Sequence, residues 1–145
     1  MRPRILLTLS LLGFLSGIAM STLVHSLGFR VFDDINAPTL STTTLLSGVV
    51  LAPIIETAII LFVFHLFRTR FSRKPSSYVA AFTLISLHAL VSPAWAVIVT
   101  IPFIVFTHPF RSDGITVKHA YWLSTISHAL SNAYSFVLQG LLSAL

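Results

Sequence analysis

Apolar residues dominate four long stretches of this chain, residues 5–28, 42–67, 78–107 and 119–142, and each is long enough to cross a lipid bilayer. About 20 apolar residues in a helix cover the hydrocarbon core. Lipid offers the backbone no hydrogen-bond partners, so segments of this kind fold as helices that pack on one another. The expected fold class is therefore all-α: a polytopic membrane helix bundle forming a single integral-membrane domain over 1–145. With 55% hydrophobic and 9% charged residues in 145, there is no length left for a separate soluble domain. The formal net charge of +5 lies in short basic stretches beside the apolar runs, where it orients a membrane protein; nucleic acid is not an expected partner, and the lipid bilayer is. The absence of cysteine removes disulfides, thiolate catalysis and Cys-ligated metals.

The third stretch, 78–107, is too long for one span and short for two full ones. Ser92-Pro93 is expected to break it into 78–91 and 94–107, because proline lacks an amide proton and disfavours helix in the residue before it. This gives about five transmembrane helices, with four as the alternative. With five spans and a cytoplasmic N-terminus, Arg2, Arg4, Arg68, Arg70, Arg73, Lys74, Arg111 and Lys118 all face inward, and only Arg30 lies outside, beside Asp33 and Asp34. With four spans Arg111 and Lys118 would face outward. The N-terminal M-R-P-R and the following apolar run have the layout of a signal peptide, with small residues from Gly17 to Ala19. The apolar run continues to Leu27, so an uncleaved first span is expected. An integral protein of a bacterial inner (plasma) membrane is the expected localisation.

Three polar islands interrupt the spans: Glu56 in L-A-P-I-I-E-T-A-I-I, His88 in L-I-S-L-H-A-L, and His128 with Asn132 in I-S-H-A-L-S-N-A. An ionisable group inside a span is costly enough that function is its default reading. From the basic ends of their segments, a rise of 1.5 Å per residue puts Glu56 about 16 Å deep, His88 about 18–20 Å and His128 about 15 Å. All three are thus expected in one layer. On the last span Tyr121, Ser124, His128, Asn132, Ser135 and Gln139 recur every three or four residues and share a face, with Ser131 beside it. Ser124, Ser131, Ser135 and Gln139 are expected to hydrogen-bond neighbouring helices. Pro53, one turn before Glu56, frees backbone carbonyls and can open the helix around the carboxylate.

A carboxylate with an imidazole beside it can accept a proton from water as a general base. His88 could orient the same water or carry its proton. His128 and Asn132, one turn apart, could direct N–H donors to one point, as stabilising a tetrahedral oxyanion requires. Together these groups describe peptide hydrolysis by an activated water. No H-E-x-x-H zinc helix, G-x-S-x-G elbow or intramembrane aspartate pair is present. No cofactor is expected; zinc held by Glu56, His88 and His128 with an open fourth position is a lower-ranked arrangement.

These residues, in this order and in these helices, resemble the CAAX-prenyl-endopeptidase and bacteriocin-processing family of glutamic intramembrane proteases, the CPBP or Abi family. The family pattern is a span with E-E-x-x-x-R, a span ending in F-x-x-x-H and a span with H-x-x-x-N or H-x-x-x-D. A-P-I-I-E-T-A-I-I-L is similar to the first, with Glu56 at the leading glutamate, which serves the family as base. His88 stands at the histidine of the second, and His128 and Asn132 stand at the third. The stretch D-G-I-T-V-K-H-A-Y-W-L-S-T-I is similar to the turn and helix start before it. The resemblance covers about residues 45–140. Thr57 replaces the second glutamate, Leu61 stands where the arginine would be, and Leu84 or Ile85 replaces the aromatic before the histidine.

The resemblance implies an endopeptidase acting on a membrane-associated protein or peptide, with Glu56, His88, His128 and Asn132 as catalytic residues. Prenylated CAAX proteins, bacteriocin leaders and C-terminal sorting signals are the substrate types such enzymes process. Three alternatives compete with it. The first is a catalytically degenerate family member serving as an immunity or scaffold protein. The second is a bis-histidine haem protein with His88 and His128 as axial ligands, and the third is a small ion or proton carrier using Glu56. His25, His65, His108 and His119 fall near segment ends and are assigned to the interface.

Overall fold

The computed structural model of the chain describes residues 3–29 and 41–143. Arg2 and the acidic connection with Arg30, Asp33 and Asp34 lie outside the described residues. Within them every regular element is helical: α1 (Pro3–Ser26), α2 (Thr42–Leu45), a π-helical stretch (Leu46–Leu51), α3 (Ala52–Arg68), α4 (Arg73–Val91), α5 (Pro93–Phe106), α6 (His108–Arg111) and α7 (Val117–Ser143). Two of the helices, Pro3–Ser26 and the continuous Thr42–Arg68, are long and apolar enough to cross a membrane.

Local chemistry accounts for most of the boundaries. α1 ends in a Schellman motif: Gly28 adopts φ +84, its N–H donates to the His25 carbonyl, and the Phe29 N–H donates to that of Val24. Ser41 caps α2 by accepting from the Thr44 N–H at 3.1 Å. The break expected at Ser92-Pro93 is present. Ser92 is extended (φ −154, ψ 119), ends α4 and caps α5 by accepting from the Trp95 N–H. α4, however, begins at Arg73 rather than residue 78, since hydropathy follows only its apolar part. Pro75, in the first turn, needs no N–H and lets the helix start within the basic cluster. α5 has 14 residues, about 21 Å of helix, and after Thr107 the chain continues into α6.

The helices run alternately up and down. Arg73 donates to the carbonyls of Phe110 (3.1 Å) and Ile115 (2.8 Å), and the Arg111 guanidinium lies 4.7 Å over the Tyr78 ring. These contacts join the start of α4 to the end of α5, α6 and the start of α7. Phe64 meets Phe110 at the same end, with ring centroids 5.2 Å apart. α1 runs antiparallel to α5, with Gly13 against Phe106 and Gly17 facing Pro102. One end of the bundle therefore gathers the starts of α1, α4 and α7 and the ends of α3 and α5. Arg4, Arg68, Arg73, Lys74, Arg111 and Lys118 all belong to that end.

The interior buries hydroxyls as well as apolar side chains. Thr57, Ser76, Ser77, Thr107, Ser124 and Ser127 are fully buried around a core of Ile60, Phe64, Leu84, Phe103, Phe106 and Phe110. The outer face carries Leu7, Leu15, Phe62, Phe82, Leu90, Trp122 and Val137. Apolar side chains thus line the outside of the bundle, with hydroxyls inside.

Candidate functional site

Pro53 shapes the backbone that presents Glu56. Before it the helix widens to a π register, in which the Ala52 N–H reaches the Ser47 carbonyl. The next step of that register falls on Pro53, which has no N–H, and the α register resumes. Glu56 follows within the first turns of α3, half-buried and directed between α4 and α7.

There its two carboxylate oxygens face different imidazoles. Oε1 lies 3.7 Å from His88 Nε2, and Oε2 lies 3.6 Å from His128 Nε2. The three residues expected to share a layer do meet, and they come from three different helices. Both gaps exceed a direct hydrogen bond, and Oε2 has no hydrogen-bond partner. A water beside either gap can reach both groups.

The two imidazoles are held differently. His88 Nδ1 lies 2.8 Å from the Leu84 carbonyl. A carbonyl only accepts, so Nδ1 carries the proton and the neutral ring presents a bare Nε2 to Glu56. The edge of the ring is flanked by Trp95 (5.6 Å, 68°) and Phe103 (5.1 Å). His128 is buried, stacked on Phe106 (4.6 Å, 19°) and met edge-on by Phe103 (5.6 Å, 81°), and its Nδ1 has no partner. The aromatic walls of the site thus come from α5. Trp95, Phe103 and Phe106 were not singled out in the sequence; the i, i+3 spacing of the two phenylalanines was the one available sign, and it is equally the mark of ordinary core.

Asn132 takes a different place from the one expected. Its Nδ2 donates to the Gly48 carbonyl at 2.8 Å, across from α7 to the π-helical stretch, so this amide hydrogen is not directed at Glu56. The polar face of α7 also differs in detail. Ser124, His128 and Ser131 are buried, but Ser135 is exposed and donates to the Ser131 carbonyl of its own helix, while Ser124 Oγ has no partner. The interhelical bonds expected of Ser124 and Ser135 are therefore absent. A hydroxyl on a helix commonly satisfies itself from the carbonyl three or four residues back, as Ser127 does with Leu123 and Ser124.

Thr57 is fully buried with its Oγ1 unpartnered, and Leu61 packs against the core. His25, His65, His108 and His119 are exposed. Among the described residues no group of three His, Asp or Glu side chains is placed to hold a metal ion. Compared with known proteins, the chain matches no family model, no curated protein and no solved structure.

Proposed function

We propose that the chain is a glutamic-type intramembrane endopeptidase of the kind its resemblance to CAAX-processing proteases implies. It hydrolyses a peptide bond of a membrane-associated protein or peptide in a bacterial inner membrane. The observation that carries this reading is the facing of the Glu56 oxygens by two imidazole nitrogens from separate helices. The five-span topology with a cytoplasmic N-terminus is part of the proposal. It is supported by the gathering of the basic residues at one end and by the Ser92 break, which lets α5 return the chain to that end.

In the proposed reaction a water sits between Glu56 and His88. Glu56 takes one proton as the water oxygen bonds to the scissile carbonyl carbon, and His88, with its bare Nε2, aligns the second O–H. The carbonyl oxygen becomes an oxyanion and accepts from His128 Nε2–H. The C–N bond then breaks, and the proton on Glu56 passes to the departing nitrogen. The ring of Phe106 behind His128 and that of Phe103 between the two imidazoles keep bulk water from the far side, which strengthens the oxyanion contact.

The test compares membranes of cells expressing wild type or Glu56→Gln at equal levels, by mass spectrometry of protein termini. Precursors that accumulate only with Glu56→Gln, matched by new termini with wild type, are the expected result. Full biological activity of the variant without any accumulating precursor would instead select the non-catalytic immunity or scaffold reading.

A further inference from the structure

In the π register Pro53 leaves the Gly48 carbonyl without a donor from its own helix. The π register bonds each carbonyl to the N–H five residues on, as Ser47 does with Ala52. The partner of Gly48 in that register is residue 53, which has no N–H. An unpaired carbonyl within a bundle in lipid is costly. Here it accepts from Asn132 Nδ2 at 2.8 Å. Gly48 itself permits the approach, because a Cβ at this position would stand 2.9 Å from the Phe136 ring of α7.

We infer that Asn132 is a positioning residue whose side-chain N–H replaces the backbone donor missing at Pro53, locking α7 to the π-helical turn that aims Glu56. Asn132 and His128 are one turn apart on α7, and Gly48 and Glu56 flank Pro53. The bond therefore fixes the register between the helix carrying the base and the helix carrying the buried imidazole. Asn132 acts on the reaction through Glu56, not on the substrate. This consequence for cleavage rests on the proposed peptidase reading; the hydrogen bond and its cause do not.

The experiment exploits a feature of the sequence: Gly48-Val49 is its one Gly-Val pair. Protein labelled with ¹³C at glycine carbonyls and ¹⁵N at valine amides gives a single carbonyl–amide NMR correlation, which belongs to Gly48. In Asn132→Leu that carbonyl resonance moves upfield, the direction of a lost hydrogen bond. In Pro53→Ala the carbonyl keeps a donor from its own helix when the amide is removed, so the same Asn132→Leu change displaces the resonance by less than about half as much. Pro53→Ala alone, which adds a donor and removes none, keeps the comparison available if the single Asn132 variant does not fold; it too must alter the resonance. An unmoved peak in Asn132→Leu, or an equal displacement in both backgrounds, overturns the inference. Once a substrate is in hand, kcat is read on the same four proteins. Asn132→Leu lowers kcat about tenfold or more in the Pro53 background, and by less than about twofold in the Pro53→Ala background. Equal losses in both backgrounds would return Asn132 to direct contact with the substrate.

Discussion

The two sides of Glu56 differ in what they leave free. On the α4 side, the Leu84 carbonyl fixes the proton of His88 on Nδ1, so the nitrogen facing the carboxylate is an acceptor in the neutral ring. On the α7 side, His128 Nδ1 has no partner, and the flat stacking on Phe106 holds the ring plane but not the proton. One imidazole is polarised by its own helix toward accepting; the other is free to donate through the nitrogen facing Glu56. A pair of identical side chains thus acquires opposite roles from one carbonyl. In the proposed reaction His88 serves the attacking water and His128 serves the oxyanion.

The largest expected effect removes what the two sides share. Glu56→Gln should lower kcat by on the order of 10⁴-fold with helicity by circular dichroism unchanged. Next, the two histidines should separate by substitution type. His88→Ala and His88→Lys should both cost on the order of 10²-fold, because an ammonium donates but cannot accept from the water O–H. His128→Ala should cost a similar 10²–10³-fold, whereas His128→Gln, which keeps an N–H donor, should recover to within about tenfold of wild type. If His88→Lys, which keeps only donors, is the variant that recovers, the roles are reversed.

A smaller effect tests the support behind His128. A Cβ at Gly13 of α1 would overlap the Phe106 ring, and the nearest neighbouring helix atom after that ring is Ser131 Oγ of α7. Gly13→Leu should push Phe106 onto His128 and lower kcat about tenfold while leaving His88 chemistry alone. His88 and His128 ring resonances in NMR would show this as a change confined to His128. The smallest effect belongs to Thr57→Ala. Its hydroxyl has no partner, so kcat should stay within about twofold and the thermal midpoint should not fall.

The layer shared by Glu56, His88 and His128 was legible in the sequence because depth in a helix is a matter of counting residues from a basic end. The Ser92-Pro93 break was legible for a local reason as well, since proline constrains the residue before it. The place of Asn132 was not. Spacing of four puts it on the His128 face of α7, and Pro53 signals an opened helix, but nothing local says which side chain of a distant helix meets the freed carbonyl. The same holds for Trp95, Phe103 and Phe106, whose apolar helix offers no face distinct enough to tell walls of a site from ordinary core. The start of α4 at Arg73 escaped a hydropathy reading because the charged first turn is helical without being apolar.

The central claim is that Glu56 is a base for peptide-bond hydrolysis, and purified protein in liposomes tests it most directly. Wild type and Glu56→Gln are incubated with a pool of lipidated and unlipidated transmembrane and C-terminal peptides, and the fragments are read by mass spectrometry. Wild type should give fragments, and a variant of the same helicity none above background. Equal fragmentation by both proteins would contradict the claim.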